Sequence, residues 1–459
     1  MSSTQDALAF RTMLAALDTT GTDTDLIDEI TALDQLTTAI SARQARLTDA
    51  FATRHRARLI ENGMSTTDAR RSVCAQIALA RRDSPHKGSR HVGLAHTLVH
   101  EMPQILQAME HGDGSEWRAT LIARETAHLS TQDRARIDAA LAPQLAGWSD
   151  QHTAQQARGW AHRLDPHGAA DRARKAATDR RVTIRPAPDC MTYLTALLPM
   201  KEGVGVYGAL HRAAMTANST PDDHRNKGQV MADELVHRVM TPAAGDPEPV
   251  GIELHLIMTD RALADHDDEP AHLLGYGPVP AAIARDLLTT DQHTRVWVRR
   301  LFTDPGTGDL LTTDARRRDF PPAARHFLAA RDQLCRTPWC GAPIRHADHA
   351  IAVSKGGPTT LTNGNGRCTT CNLVKDLDGW TTHLTGTGAG AGIDTGIDTV
   401  TPTGHTHHSR PPRPPTSPPW APPRDPPRSP GRPPRPRIEI HWMPEKVSLP
   451  VSRSSPPGR

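Results

Sequence analysis

No apolar run of the roughly 18 residues needed to cross a bilayer occurs in this chain, so a transmembrane helix is not expected. The opening segment, MSSTQDALAFRTML, lacks the basic stretch and apolar core of a secretory signal, which favours the cytoplasm. Lysine is scarce, seven residues against 47 arginines; with so much alanine, threonine and proline, this reflects GC-rich coding more than arginine-based recognition. A positive surplus is also missing from the body of the chain. Residues 408–459 carry ten basic and three acidic side chains, a net +7, which leaves residues 1–407 at −4. Charge alone therefore does not mark a nucleic-acid binder. Apolar residues make up only 37% and mean hydropathy is −0.52, so part of the chain is not packed into a core.

A chain of 459 residues has room for two or three domains. Leu26, Ile30, Leu33, Ile40, Leu47 and Phe51 recur at helical steps, and the spacing predicts a helix over 25–60. Helices are also expected over 70–81, 95–110, 149–163 and 168–178, and after Ser130-x-x-Asp133, which reads as a capping box. The period then changes. RVTIR (181–185) and MTYLTALLP (191–199) read as strands joined by a turn at PAPDC, where Cys190 is a small turn or strand-end residue. Helices follow at 202–217 and 227–240, a half-buried strand at 251–258, a helix at 278–288, a hairpin over 295–311 turning at Asp304–Gly308, and a helix at 320–334. After 385 comes a Gly/Thr stretch with one tetrapeptide repeat. Residues 411–437 hold 14 Pro and six Arg, a composition that cannot offset its ordering entropy and favours polyproline II.

Cysteine is sparse too, six residues, yet four sit within 37 residues as Cys335-x4-Cys340 and Cys368-x2-Cys371. In an intracellular chain such pairs point to a metal rather than to disulfides. Four thiolates complete a tetrahedral Zn²⁺ with no open position, so the site is structural. The 27 residues between the pairs exceed what a simple zinc ribbon needs. Asp348 and His349 are adjacent, so on an extended segment they face opposite ways, and one can ligate a metal while the other faces a substrate. Gly356-Gly357-Pro358 enforces a turn, and the Asn363 amide can bond backbone across a hairpin. Cys371 and Asn372 open a helix on which Asn372 and Lys375 share a face.

This succession, a Cys pair, Asp-His, a Gly-Gly turn, Asn, then Cys-x-x-Cys-Asn with a nearby Lys, resembles the HNH endonucleases. The resemblance implies a ββα-metal module with His349 as general base, Asp348 and Asn372 as ligands of a catalytic Mg²⁺ or Mn²⁺, Asn363 orienting the His349 ring, and Lys375 contacting a phosphate. Zn²⁺ on Cys335, Cys340, Cys368 and Cys371 is then the separate, structural ion. The chemistry is coherent: a divalent ion neutralises the phosphate and the leaving oxygen, and a neutral imidazole accepts the proton of water. Asn372 stands where relatives also place His, and an amide is the weaker ligand. Asn365 rivals Asn363 for the middle position. His346 stands where relatives often have an acid, and it is open as a ligand, a phosphate contact or an exposed residue. Upstream, RRVTIRPAPDCMTYLTALLP, KGQVMADELV, GYGPVPAAIARDLL, LFTDPGTGDLL and RDQLCRTPWC resemble the thirteen-E-twelve repeat family, in which a domain of unknown function precedes a C-terminal HNH module.

The expected fold is thus α+β: a mainly helical region at 1–180, an α+β region at 181–320, a zinc-stapled ββα module at 321–385, and a disordered Gly/Thr then Pro/Arg-rich tail at 386–459. The expected function is metal-dependent hydrolysis of DNA phosphodiester bonds. The alternative is a zinc-dependent DNA-binding protein without catalysis, and a third possibility is that the tail docks a protein that reads polyproline II. The expected partner is nucleic acid, DNA first, with weak, salt-sensitive help from the basic tail and no membrane. GHTHHS (404–409) reads as a flexible polar tract, and His96 and His100, without an H-E-x-x-H frame, as solvated helix residues.

Overall fold

A computed structural model describes residues 3–217, 224–241, 254–263, 267–289, 297–298, 320–385, 396–412 and 441–442. The chain divides into two units, Met1–Lys175 and Ala176–Arg459. Among the described residues, no helix is long and apolar enough to cross a membrane.

The first unit is helical: α1 (Ser3–Ala15), α2 (Asp23–Glu61), α3 (Thr66–Ala80), α4 (Pro85–His100), α5 (Pro103–Glu110), α6 (Glu116–Glu125), α7 (Thr131–Leu141), α8 (Asp150–Leu164) and α9 (Pro166–Ala176). Thr22, Ser65, Ser84, Ser115, Ser130 and Ser149 each cap a helix by accepting a first-turn backbone N–H. The single helix expected over 95–110 is two helices. Pro103 has no N–H to donate and disfavours helical backbone at Met102, so the chain bends there. No N-cap side chain serves α5. Instead the buried Asp138 carboxylate of α7 accepts from Gln104 N (2.9 Å) and Ile105 N (2.7 Å), and burial pushes its pKa up. Leu98, Met102, Ile105, Met109, Ile122, Ile137 and Leu141 form the core where these helices meet.

In the second unit, β1 (Arg181–Pro186) and β2 (Thr192–Leu197) pair antiparallel, with Arg181 opposite Leu197. Cys190 sits in their turn at φ 59°, a conformation that glycine adopts more readily. Next come α10 (Met200–Ala217), α11 (Lys227–Met240), β3 (Leu256–Ile257), α12 (Asp260–Leu263), β4 (Ala271–Leu273), β5 (Gly277–Val279), α13 (Ala281–Thr289) and β6 (Trp297–Val298). The sheet order is β3-β4-β5. The strand expected over 251–258 is confined, where described, to β3. The rest of the 295–311 hairpin, with its turn at Asp304–Gly308, lies outside the described residues.

The C-terminal part starts with α14 (Pro322–Asp332), followed by β7 (His346–His349), β8 (Gly364–Arg367) and α15 (Thr369–Lys375). Then β9 (Thr381–Thr385), β10 (Gly396–Val400) and β11 (Thr406–Ser409) form a sheet in the order β11-β10-β9, while β12 (His441–Trp442) pairs with β6. A tail disordered from residue 386 is therefore corrected: the second GIDT copy makes β10, and THHS makes β11 rather than a flexible tract. Composition hid this because Ile397 is the main apolar anchor and the other buried positions include Thr399 and Thr401. Most of the Pro/Arg-rich segment lies outside the described residues.

Candidate functional site

The cysteine pairs converge. Cys335 and Cys340 come from the segment after α14, and Cys368 and Cys371 from the start of α15. All four thiols are free, and their sulfurs lie within 4.8 Å of one another. The Cys340–Cys368 and Cys340–Cys371 separations are both 3.7 Å. Four sulfurs bound to Zn²⁺ at about 2.3 Å form a tetrahedron with edges of about 3.8 Å, so this cage has the right size. Cys368 also caps α15, its sulfur accepting from Cys371 N at 3.4 Å. Sulfurs this close compete for protons. Hydrogen bonds, chiefly with Cys340, hold the Cys335 thiol low, and Cys335 in turn pushes Cys340 and Cys371 up. A divalent cation is what makes four thiolates compatible in one place.

Beside the cage, β7 and β8 run antiparallel, with Asp348 opposite Asn365 and His349 opposite Gly364. The adjacent pair does face two ways. Asp348 points to α15, where Lys375 Nζ stands 2.8 Å from its Oδ2, off-axis for a hydrogen bond, and also 2.8 Å from Asp376 Oδ1. His349 is buried. Its ring lies 4.6 Å from that of Phe320, and its Nε2 is 2.9 Å from the Thr359 hydroxyl. The intervening loop needs its glycines: Gly356 has φ 83°, and a Cβ on Gly357 would collide with the Ile351 carbonyl.

Asn363 is the brace of that loop. Its Nδ2 donates to Ile351 O (3.0 Å) and Pro358 O (2.8 Å), and its Oδ1 accepts from Ile351 N (2.8 Å). Both amide hydrogens are thus committed to the backbone of the loop that runs from His349 to Asn363. Asn365 is also buried, donating to Asp348 O (3.3 Å) and accepting from Arg367 Nε (2.8 Å). Lys375 is buried and lies between the Asp348 and Asp376 carboxylates, whereas His346 is exposed and lies 3.2 Å from the Thr369 hydroxyl. Asn372, one turn before Lys375 on α15, has a buried Oδ1 with no hydrogen-bond partner.

Sequence reasoning missed the hub under this arrangement. Asp332, at the end of α14, has a fully buried carboxylate that accepts from Arg331 (Nε 2.7 Å, Nη2 3.0 Å), Arg336 Nη1 (3.0 Å) and Gly366 N (2.6 Å). Arg331 continues to Leu361 O and Gly364 O, and Arg336 reaches Ser409 of β11. Burial lowers the Arg336 pKa, and Asp332 opposes it. The signal was present in the string RDQLCR, where one acid stands between two arginines. Thr359, the partner of His349, carried no such signal. In the helical unit, His96 and His100 are exposed as expected, and the structure adds Asp49 beside them.

Neither the comparison with curated proteins nor that with solved structures returned a match. Residues 36–332 match a family described as a domain of unknown function (DUF222), more than half of the chain and ending three residues before Cys335. The chain is accordingly a member of the DUF222 family.

Proposed function

We propose that the segment from Phe320 to Thr385 is a divalent-metal-dependent nuclease centre of the HNH kind, hydrolysing DNA phosphodiester bonds. The observation that carries the proposal is a pair of buried oxygens that make no hydrogen bond, one of them ion-paired with Lys375. Among the described residues, three buried side-chain polar atoms lack a hydrogen-bond partner: Asp348 Oδ2, Asn372 Oδ1 and Arg367 Nη2. The two oxygens belong to the residues the resemblance assigns to the catalytic ion. For Asn372 Oδ1, which has no partner, the unmet acceptor costs about 1–3 kcal/mol, whereas Asp348 Oδ2 is ion-paired with Lys375 without a hydrogen bond; both are hard oxygen donors that suit Mg²⁺ or Mn²⁺. Asn372 and Lys375 share a face of α15, and the Lys375 ammonium of that face lies at the Asp348 carboxylate of β7.

Bound there, a divalent ion would neutralise the phosphate and stabilise the leaving oxygen. His349 would take the proton of the attacking water at Nε2, where the Thr359 hydroxyl now sits. Phe320 and the loop braced by Asn363 hold the ring in place for that transfer. The cysteine cage staples a module with few apolar residues.

One observation favours the second reading, a zinc-dependent DNA-binding module without catalysis: His349 is only 7% exposed, and Lys375 already neutralises Asp348. A plasmid-nicking assay with Mg²⁺ or Mn²⁺ separates the two. The nuclease loses at least ~100-fold in rate in His349→Ala, with zinc content and circular dichroism unchanged. Absence of nicking by the wild type, with DNA retention that survives His349→Ala and is lost in Cys368→Ser, would establish the second reading instead.

A further inference from the structure

We infer a second metal site, in the helical unit, formed by Asp49, His96 and His100 and suited to a first-row transition ion such as Zn²⁺. His96 and His100 are one turn apart on α4, so they share a face, and their ring centroids are 4.6 Å apart. Asp49 reaches the same place from α2. Its side chain is 11% exposed, against 61% for His96 and 48% for His100, so a largely buried carboxylate faces two rings that open on water. His100 Nε2 lies 2.9 Å from Asp49 Oδ2, and His96 Nδ1 lies 3.6 Å from Oδ1. One ligand atom from each residue falls within 4.8 Å of the other two.

Ligand atoms around tetrahedral Zn²⁺ with bonds of about 2.0–2.1 Å are about 3.3 Å apart; here each ring nitrogen lies within 3.6 Å of one of the two Asp49 oxygens, and one ligand atom from each residue falls within 4.8 Å of the others. Small rotations of the exposed rings close the remaining difference. The backbone is already fixed for this. Ala42 and Ala45 of α2 and Ala95 and Leu98 of α4 belong to one buried cluster, which locks the two helices together around the carboxylate. His100 ends α4, where the helix dipole favours positive charge.

Ligand chemistry sets the class of ion. Two imidazoles and one carboxylate select Zn²⁺, Ni²⁺, Co²⁺ or Cu²⁺ over Mg²⁺ or Ca²⁺, which take oxygen donors. Three protein ligands leave a position for water on the solvent side. Thr97 follows His96, in the place where the metalloprotease helix motif carries its glutamate base, so the triad supplies no base of its own. The site is a clamp tying α2 to α4, and its occupancy stabilises the helical unit by mass action.

The test titrates Zn²⁺ by calorimetry into the full chain, purified with its four-cysteine site filled, and compares the wild type with His96→Ala/His100→Ala. The wild type is expected to take up one more zinc per chain than the double variant. Added Zn²⁺ is expected to raise the melting temperature of the helical unit only in the wild type. Both rings are exposed, so the variant should fold, and circular dichroism verifies that. The pair His96→Gln/His100→Gln gives the same readout with polarity retained. Histidines 405, 407 and 408 are common to all the chains compared and cancel. Equal zinc stoichiometry and affinity in the wild type and both double variants would overturn the site.

Discussion

In the helical unit the innermost side chains are Leu98, Met102, Ile105, Met109, Ile122 and Ile137; in the cysteine module they include Arg367, Asn365, Asn363 and the Asp332 carboxylate. The module keeps only a small apolar seat, Phe320, Ala324, Phe327 and Leu328, packed with Ala347 and Leu361. The first region is therefore stabilised by many small burials, each of which can be lost in part. The second depends on a few charged and polar contacts that either close or leave groups stranded, and on four sulfurs placed where they could share a cation. So short a segment holds a fixed arrangement with so little apolar surface through these contacts. Its order is electrostatic and coordinative, and its failure should be abrupt.

The comparison breaks most visibly through the cage. Chelation or Cys371→Ser removes an ion whose binding is worth on the order of 10–16 kcal/mol in small zinc modules. Hydrogen exchange should then show residues 335–385 losing protection while 85–164 keep theirs; protected module amides after verified zinc loss would contradict it. Asp332→Ala comes next. It strands Arg331 and Arg336 in the interior, at about 3–5 kcal/mol, and the module transition in a denaturant titration should fall accordingly, with the helical transition unmoved. Ile105→Ala works on the other side, creating a cavity in the helical core at about 2–5 kcal/mol and leaving zinc content unchanged. The smallest effect expected is Ser130→Ala, which removes the α7 cap at about 1 kcal/mol and is read as a shift in the helical midpoint alone.

Much of the module was legible because its chemistry is local. Two cysteine pairs, Asp348-His349 and the glycine turn are residue types with few structural uses at those spacings. Helix α2 was legible through the spacing of Ile30, Leu33 and Ile40, although these three are exposed and its buried face carries Thr38, Ala42 and Ala45 instead; the break at Pro103 follows from proline geometry that a periodicity count ignores. What could not be read are contacts across the chain: Asp332 gathering arginines and the Gly366 amide, Thr359 meeting His349, Asp49 lying under two histidines of another helix. Each needs the fold before the partner is adjacent. The strands β10 and β11 were hidden for a different reason. Gly/Thr sequence carries little burial signal, and the register comes from strand pairing, β10 with β9 and β11 with β10.

Asp332 has a consequence for how this protein can be dissected and recombined. It is the last residue of the match to the DUF222 family, yet its carboxylate is the counter-charge on which the cysteine module closes. A graft that began at Cys335 would carry the sulfurs and leave behind both the acid and the aromatic seat at Phe320. The transferable piece begins about one helix earlier, so the border of the recognised family and the border of the portable part do not coincide.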